Sequence, residues 1–268
     1  MMVDPRPEHS GPPLLMEAPT SDYLAQLANG PPQLALKALR AGYGKTEVLH
    51  GIELIVGRGQ SLCIIGPNGS GKSTVLNATF GLAEVHAGCI TLGSNKVTTA
   101  PESVKLIQSK VSYVLQTSSI FPDMSVEDNL LMGGHLLKSR REASAAVERI
   151  LDTHPRIAAL RDKPAGVLSG GERRVLELSR ALIKDPEVLL VDEPSIGLEP
   201  RAIDAVFEML ERLQHRDGKT ILLVEQNVRK GLKFADLGYL LVGGRVAIAG
   251  TAGVLLENPR VGQLFMGG

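Results

Sequence analysis

Nine consecutive residues, Gly66-Pro67-Asn68-Gly69-Ser70-Gly71-Lys72-Ser73-Thr74, constrain the fold of this chain more than any other stretch. They fit the pattern Gly-x-x-x-x-Gly-Lys-Ser. Ahead of them runs Ser61-Leu62-Cys63-Ile64-Ile65, an apolar run suited to a buried parallel strand, and Lys72 to Phe80 behind them suits a helix. A strand, a glycine-rich turn and a helix N-terminus make an anion site. Glycines let the backbone approach phosphates, and the successive N–H groups and the positive end of the helix dipole point at them. On this reading Gly66 to Gly71 cradle phosphates, Lys72 reaches the β- and γ-phosphates of a nucleotide, and the Ser73 hydroxyl, beside Thr74, ligates Mg²⁺. The bare pattern arises by chance in roughly a few per cent of glycine-rich chains this long. The flanking strand and helix are what give it weight.

With 268 residues, 43% of them hydrophobic, the chain is long enough for one large core, and a single globular unit is expected. Basic and acidic residues balance at 29 each, so no global field favours nucleic acid or anionic lipid. Cys63 and Cys89 each lie in an apolar run and read as small core residues, not as a disulfide or metal pair, which fits a reducing compartment. No apolar run approaches the roughly 20 residues that span a bilayer, and the first residues lack the basic-then-apolar order of a signal peptide.

Residues 1–33 carry seven prolines, four acids and one arginine with little periodicity. The expectation is a disordered extension with a short helix around Ser21 to Leu27, either a passive tail or a partner-binding arm. Strands are expected at Leu34 to Leu39, Glu53 to Val56, Gly88 to Leu92 and Val111 to Val114, with turns at Gly42-Tyr43-Gly44 and Gly57-Arg58-Gly59. Tyr43 is an aromatic on which a base could stack. Ser125-Val126-Glu127-Asp128 offers a capping box, and helical sequence follows to Leu160, broken at Gly133-Gly134 and Pro155.

Leu168-Ser169-Gly170-Gly171-Glu172 precedes a helix expected from about Glu172 to Lys184, and its Ser-Gly-Gly turn is either a second anion-binding helix start or an ordinary cap. Val188 to Val191 then ends in Asp192-Glu193-Pro194. Two carboxylates at the carboxyl edge of a parallel sheet divide the labour: Asp192 binds Mg²⁺ directly or through water, and Glu193 accepts a proton from an attacking water. Pro200 to Leu213 reads as a helix and Thr220 to Val224 as a buried strand ending in Glu225-Gln226-Asn227. A hairpin of Leu237 to Leu241 and Arg245 to Ala249 follows around Gly243-Gly244, and the tail from Ala252 to Phe265 is short and helical at best.

In this order the motifs resemble the ATP-binding cassette family of ATPases over roughly residues 34–268. The distinguishing mark is Leu-Ser-Gly-Gly-Glu, whose Ser169 lies 23 residues before Asp192. The resemblance implies an α/β fold: a P-loop NTPase parallel sheet with an antiparallel β subdomain and a helical insertion over about 117–166. It implies ATP and Mg²⁺ as ligands. Tyr43 then matches the adenine-stacking aromatic, and Gln116 matches the glutamine touching Mg²⁺ and the attacking water. Ser169, with Gly170 and Gly171, matches the signature contacting the γ-phosphate of ATP held by a partner subunit, in a head-to-tail dimer.

Within the family, Ile120-Phe121-Pro122, Ser125 to Leu130, Ser195-Ile196-Gly197-Leu198, Leu223 to Asn227 and the stretch 264–268 look like the ATPases of branched-chain amino acid importers. Importers of urea or short amides share much of this pattern, and some cassette ATPases are soluble and non-transporting. Membership of the importer branch implies a subunit on the cytoplasmic face of the inner membrane. It would work with a second cassette ATPase, membrane permeases and indirectly a solute-binding protein. Three positions depart from the common pattern: Glu172 stands for Gln, Glu199 for Asp, and Gln226 for the histidine that contacts the γ-phosphate. Gln226 can donate a hydrogen bond but cannot titrate.

Overall fold

The computed structural model describes residues 19–97 and 110–266. The chain opens with helix α1 (Ser21–Leu27) and then builds two sheets. The first is antiparallel and four-stranded in the order β2-β1-β4-β5, from β1 (Pro32–Tyr43), β2 (Thr46–Gly57), β4 (Glu84–Leu92) and β5 (Asn95–Val97). The second has six strands, in the order β10-β9-β3-β8-β7-β6. Its members are β3 (Ser61–Ile65), β6 (Val111–Val114), β7 (Val188–Asp192), β8 (Thr220–Val224), β9 (Leu237–Val242) and β10 (Arg245–Thr251). All neighbours there pair in parallel except β9 with β10, which form the hairpin expected around Gly243-Gly244.

The parallel strands are apolar on both faces because both faces are covered. Along β3, Leu62 and Ile64 enter the core shared with the antiparallel sheet and α2 (Lys72–Phe80), whereas Cys63 and Ile65 enter the core under the remaining helices. The helices of that second side are α3 (Val126–Met132), α4 (Arg140–Thr153), α5 (Pro155–Ala158), α6 (Gly170–Ala181), α7 (Pro200–His215), α8 (Val228–Phe234), α9 (Ala252–Glu257) and α10 (Pro259–Met266). Helices α3 to α5 are separated at Gly133-Gly134 and at Pro155, as the glycine pair and the missing proline N–H require.

Several boundaries differ from expectation, β4 among them in starting at Glu84 and not Gly88, and three differences matter most. Strands β1 and β2 are twice the expected length or more, because the chain bulges where Ala38 takes a left-handed φ of 47° and the pairing register slips between Leu36 and Leu39. A bulge breaks the period-two pattern by which strands are recognised. Tyr43 therefore closes β1 instead of occupying the turn. Helix α6 begins at Gly170, not Glu172, since Ser169 caps it: the Ser169 hydroxyl accepts from the Glu172 N–H and the Glu172 carboxylate accepts from the Ser169 N–H.

The third difference is at the start. The short helix expected at Ser21 to Leu27 is present, but the structured chain begins well before residue 34: Tyr23, Leu24 and Leu27 are buried against the main core. The Tyr23 hydroxyl donates to the Ala249 carbonyl of β10 at 3.3 Å, and the Gln60 amide donates to the Leu27 carbonyl at 3.3 Å. Three apolar side chains at helical spacing give enough burial to offset the ordering entropy of one short helix. The extension proper, residues 1–18, lies outside the described residues, as do the last two residues of the 264–268 stretch.

Leu24 is fully buried, so Leu24→Ala should remove about 2–4 kcal/mol of stability, read as a shift of the urea midpoint without change of slope. A loss below about 0.5 kcal/mol would mean that α1 contributes little to the fold.

Candidate functional site

Because β3, β8, β7 and β6 run in parallel, their carboxyl ends emerge at one edge of the sheet. From those ends come the loop at Gly66 after β3, Gln116 shortly after β6, the Asp192-Glu193 pair at the end of β7, and Gln226 after β8. Lys72, Ser73, Thr74, Asn68, Gln116, Glu193 and Gln226 line one open cleft of about 410 Å³. The residues read from sequence as phosphate loop and acid pair thus converge in space with Gln226.

The loop is pinned by its backbone. Gly71 precedes α2 with φ of 100°, a conformation that L side chains rarely adopt, and a Cβ there would lie 2.9 Å from Cδ2 of Leu49. Gly66 passes so close to β9 that a Cβ would sit 2.3 Å from the Leu241 carbonyl oxygen. Lys72, 6% exposed, folds back to donate to the carbonyl oxygens of Gly66 at 3.0 Å and Pro67 at 3.2 Å. The buried Ser70 hydroxyl has no hydrogen-bond partner in its own loop or elsewhere among the described residues.

Asp192 and Glu193 are buried, at 4% and 7% exposure. Burial pushes the Asp192 carboxyl above the usual carboxylate range, opposed by hydrogen bonds from Ser73 and Tyr113 and by the charges of Lys72 and Arg174. Ser73 Oγ donates to Asp192 Oδ1 at 3.2 Å and Tyr113 Oη to Asp192 Oδ2 at 3.2 Å. Burial also raises the Glu193 carboxyl, with Lys72 pulling it down and the charges of Asp192 and Glu225 pushing it further up. Glu193 sits in left-handed backbone at φ of 44°, strain for a residue with a side chain, and receives the Gln116 side-chain amide at 2.8 Å. Gln116 thus approaches the second acid of the pair.

Two residues of α6 that sequence reasoning passed over fix Gln116. Buried Arg174 donates to the carbonyl oxygens of Leu115 at 2.7 Å and Gln116 at 3.1 Å, and pairs with buried Glu177 at 2.8 Å. Glu177 in turn accepts from the Ser119 N–H at 2.8 Å. Asn77 and Tyr113 were also passed over. The Asn77 amide donates to Tyr43 Oη at 2.7 Å, and its oxygen lies 3.1 Å from Tyr113 Oη, so hydroxyls and an amide connect Tyr43 to Asp192. A polar residue one turn into a helix after a phosphate loop was the available signal for Asn77; nothing in the local pattern marked Arg174.

Not every expected residue meets at the cleft. Tyr43 is 46% exposed and does not line it. Ser169, Gly170 and Gly171 lie at the start of α6, outside the cleft lining of their own chain. The oxygen-only set of Ser73 hydroxyl and Asp192 carboxylate is of the type that suits Mg²⁺.

Fold and site together define a phosphate-loop ATPase of the cassette type. The sequence profile described as "ABC transporter" matches residues 49–196. A probable branched-chain amino acid transport ATP-binding protein, LivF, of Archaeoglobus fulgidus is 38% identical over 229 residues, covering 85% of this chain and 96% of that protein. The high-affinity branched-chain amino acid transport ATP-binding protein BraG of Pseudomonas aeruginosa is 36% identical over 226 residues, covering 84% and 96%. Other matched relatives are named for export of Nod factor and lipopolysaccharide. Among solved structures, an ATP-binding cassette of an ABC transporter in its ADP conformation superposes with a TM-score of 0.78 at 27% identity, covering 89% of this chain and all of the other. This chain belongs to the ABC transporter family, as an ATP-binding, ATP-hydrolysing subunit.

Replacing Gly71 by Ala forces a side chain into φ of 100° against Leu49, which should distort the first turn of α2. ATP affinity should fall at least about tenfold, measured by calorimetric titration of the folded variant. Unchanged affinity would show that the loop tolerates a residue with a side chain.

Proposed function

We propose that this chain energises uptake of branched-chain amino acids through separate membrane permeases, hydrolysing ATP by in-line attack of water on the γ-phosphate. The observation that carries the hydrolytic half is the convergence of Lys72, Ser73, Glu193 and Gln226 on one cleft whose wall is the phosphate loop. The transport half is supported by relatives named for branched-chain amino acid transport over nearly their whole length.

Lys72 holds loop carbonyls at 3.0 and 3.2 Å; phosphate oxygens would replace them, and the loop amides would share the developing charge. Ser73 and Asp192, with Gln116, would hold Mg²⁺, which when bound neutralises charge on the β- and γ-phosphate oxygens. Glu193 positions the water and takes its proton; its carboxyl, raised by burial, is a better match to neutral pH than an exposed one. Gln226 donates a hydrogen bond toward the γ-phosphate, and Tyr43 stacks on the adenine. Ser169, Gly170 and Gly171 serve the nucleotide of a second cassette in a head-to-tail dimer, in keeping with their place outside their own cleft.

The cassette would comprise residues 34–268 together with α1, which packs on its core, and residues 117–166 would be its helical subdomain. Among the described residues no helix is long and apolar enough to cross a membrane, so attachment at the cytoplasmic face of the inner membrane would run through permeases. We assign the permease contact to a groove of about 480 Å³ between β6, α3 and α6, lined by Phe80, Phe121 and Met132 among others. The relatives named for export favour a second reading, an exporter ATPase. Co-purification from native membranes decides between them: permeases encoded with a solute-binding protein that takes branched amino acids support import. Binding of urea or short amides instead would change the cargo, and permeases without any solute-binding protein would favour export.

Glu193→Gln should keep ATP binding and lose nearly all turnover, a drop of at least about 10²-fold in kcat, since the acid is removed while the cradle stays. Near-normal phosphate release by that variant would overturn the role of Glu193. Gln226→Ala should slow hydrolysis about tenfold with the nucleotide Kd little changed, since one hydrogen bond is lost. Normal turnover would show that the position is spare.

A further inference from the structure

Glu225 is 1% exposed, yet it directly follows a strand whose five residues are all buried. A carboxylate in such a place is costly unless its oxygens are satisfied. Both are, and by backbone N–H groups, not by a cation. Oε1 accepts from Ser195 N–H at 3.1 Å and Oε2 from Asn227 N–H at 2.8 Å. Ser195 lies two residues after Glu193, and Asn227 directly follows Gln226. One side chain therefore holds the two loops that carry Glu193 and Gln226.

The surroundings make the bracket rigid. Glu193 N–H donates to the Val224 carbonyl at 2.9 Å, so the end of β7 is tied to the end of β8 on both sides of the acid. Helix α8 lies against Glu225 through Gly231, where a Cβ would be 2.9 Å from the Glu225 Cβ and 2.6 Å from Cys63 Sγ. Among the described residues, the Ser195 and Asn227 N–H groups are the hydrogen-bond donors to this carboxylate.

We propose that Glu225 is a positioning residue for ATP hydrolysis, clamping the loop after Glu193 to the loop that begins with Gln226, so that Glu193 and Gln226 keep one spacing. This rests on the roles given above to Glu193 and Gln226. It predicts that the two loops move as one unit, and that a change at either is felt at the other through Glu225. A carboxylate suits the task because it is acceptor-only and meets two N–H groups at once; an amide in its place would point an N–H at one of them.

The test uses the full chain in ATP turnover, with Glu225→Gln beside Glu193→Gln. Glu225→Gln should lower kcat about tenfold or more while the ATP Kd stays within about twofold. Its melting temperature should fall by no more than a few degrees, because one backbone N–H loses its acceptor while the rest of the bracket stays. Amide hydrogen exchange over 194–199 and 226–231 should quicken at Ser195 or Asn227, whichever faces the new amide. Should Glu225→Gln not fold, Glu225→Asp keeps the charge but withdraws it by one methylene, and the same loss of kcat with intact ATP binding is expected. A kcat within about twofold of the parent, with Glu193→Gln inactive, overturns the proposal alone. Loss of kcat in step with loss of melting temperature and of ATP binding overturns it in favour of a purely structural role. Full turnover by Glu193→Gln removes the reading beneath it.

Discussion

The structure depends on a parallel sheet buried on both faces. Strands β3, β8, β7 and β6 present apolar side chains up and down, so their chemistry is confined to where they end. Parallel direction then gathers every end at one edge. Antiparallel pairing of the same strands would have sent half of Gly66, Gln116, Asp192 and Gln226 to the opposite side of the molecule. The cleft is thus a consequence of strand direction before any side chain is considered.

Gathering the ends also gathers charge. Asp192, Glu193 and Glu225 are buried carboxylates at the ends of β7 and β8, buried Lys72 acts on the first two, and each is kept by a different device. Asp192 takes hydroxyls from Ser73 and Tyr113, Glu193 takes the Gln116 amide, and Glu225 takes two backbone N–H groups. Even so, burial leaves the first two carboxyls raised. Raised carboxyls beside a bed of backbone amides are better matched to a polyanion when a cation accompanies it, and their oxygen ligands are of the kind that Mg²⁺ takes.

How much of this is legible in the sequence follows from which interactions are local. Gly66 to Thr74 declares itself because strand, turn and helix are contiguous and each has its own pattern. Val188 to Asp192 does so because a strand that merely fills a core has no use for two acids at its end, whereas a strand that delivers ligands to a sheet edge does. Strands β1 and β2 read short, since the bulge at Ala38 erases alternation, and α1 reads as part of an unstructured arm because proline content masks three spaced apolar residues. Arg174 and Glu177 are invisible for a different reason. Their partners, Leu115, Gln116 and Ser119, lie more than fifty residues away in the chain, and no single-residue preference announces a grip of that range. Tyr43 stands out by its likeness to a family pattern; its hydroxyl contact to Asn77 does not.

That long-range grip joins two parts of the site that the cleft alone does not. Helix α6 starts at the Ser169 cap, and little more than one turn later Arg174 holds the carbonyls on either side of the Leu115–Gln116 bond. A capped helix of 12 residues is stiff over that distance. Displacing Ser169 along the helix axis must therefore move the Gln116 backbone or break charge-assisted bonds in a dry setting, where each is worth more than in water. Farther along the same helix, Arg180 donates to the Ser119 carbonyl at 2.7 Å, so the loop after β6 is held at both ends by one rigid element. Helix α6 is thus bonded to the loop that carries Gln116 at both ends of that loop, and Gln116 meets Glu193 at 2.8 Å. Ser169 and Glu193, far apart in the chain, are therefore linked by the body of α6, the Arg174 bonds and the Gln116 amide, without passing through a strand.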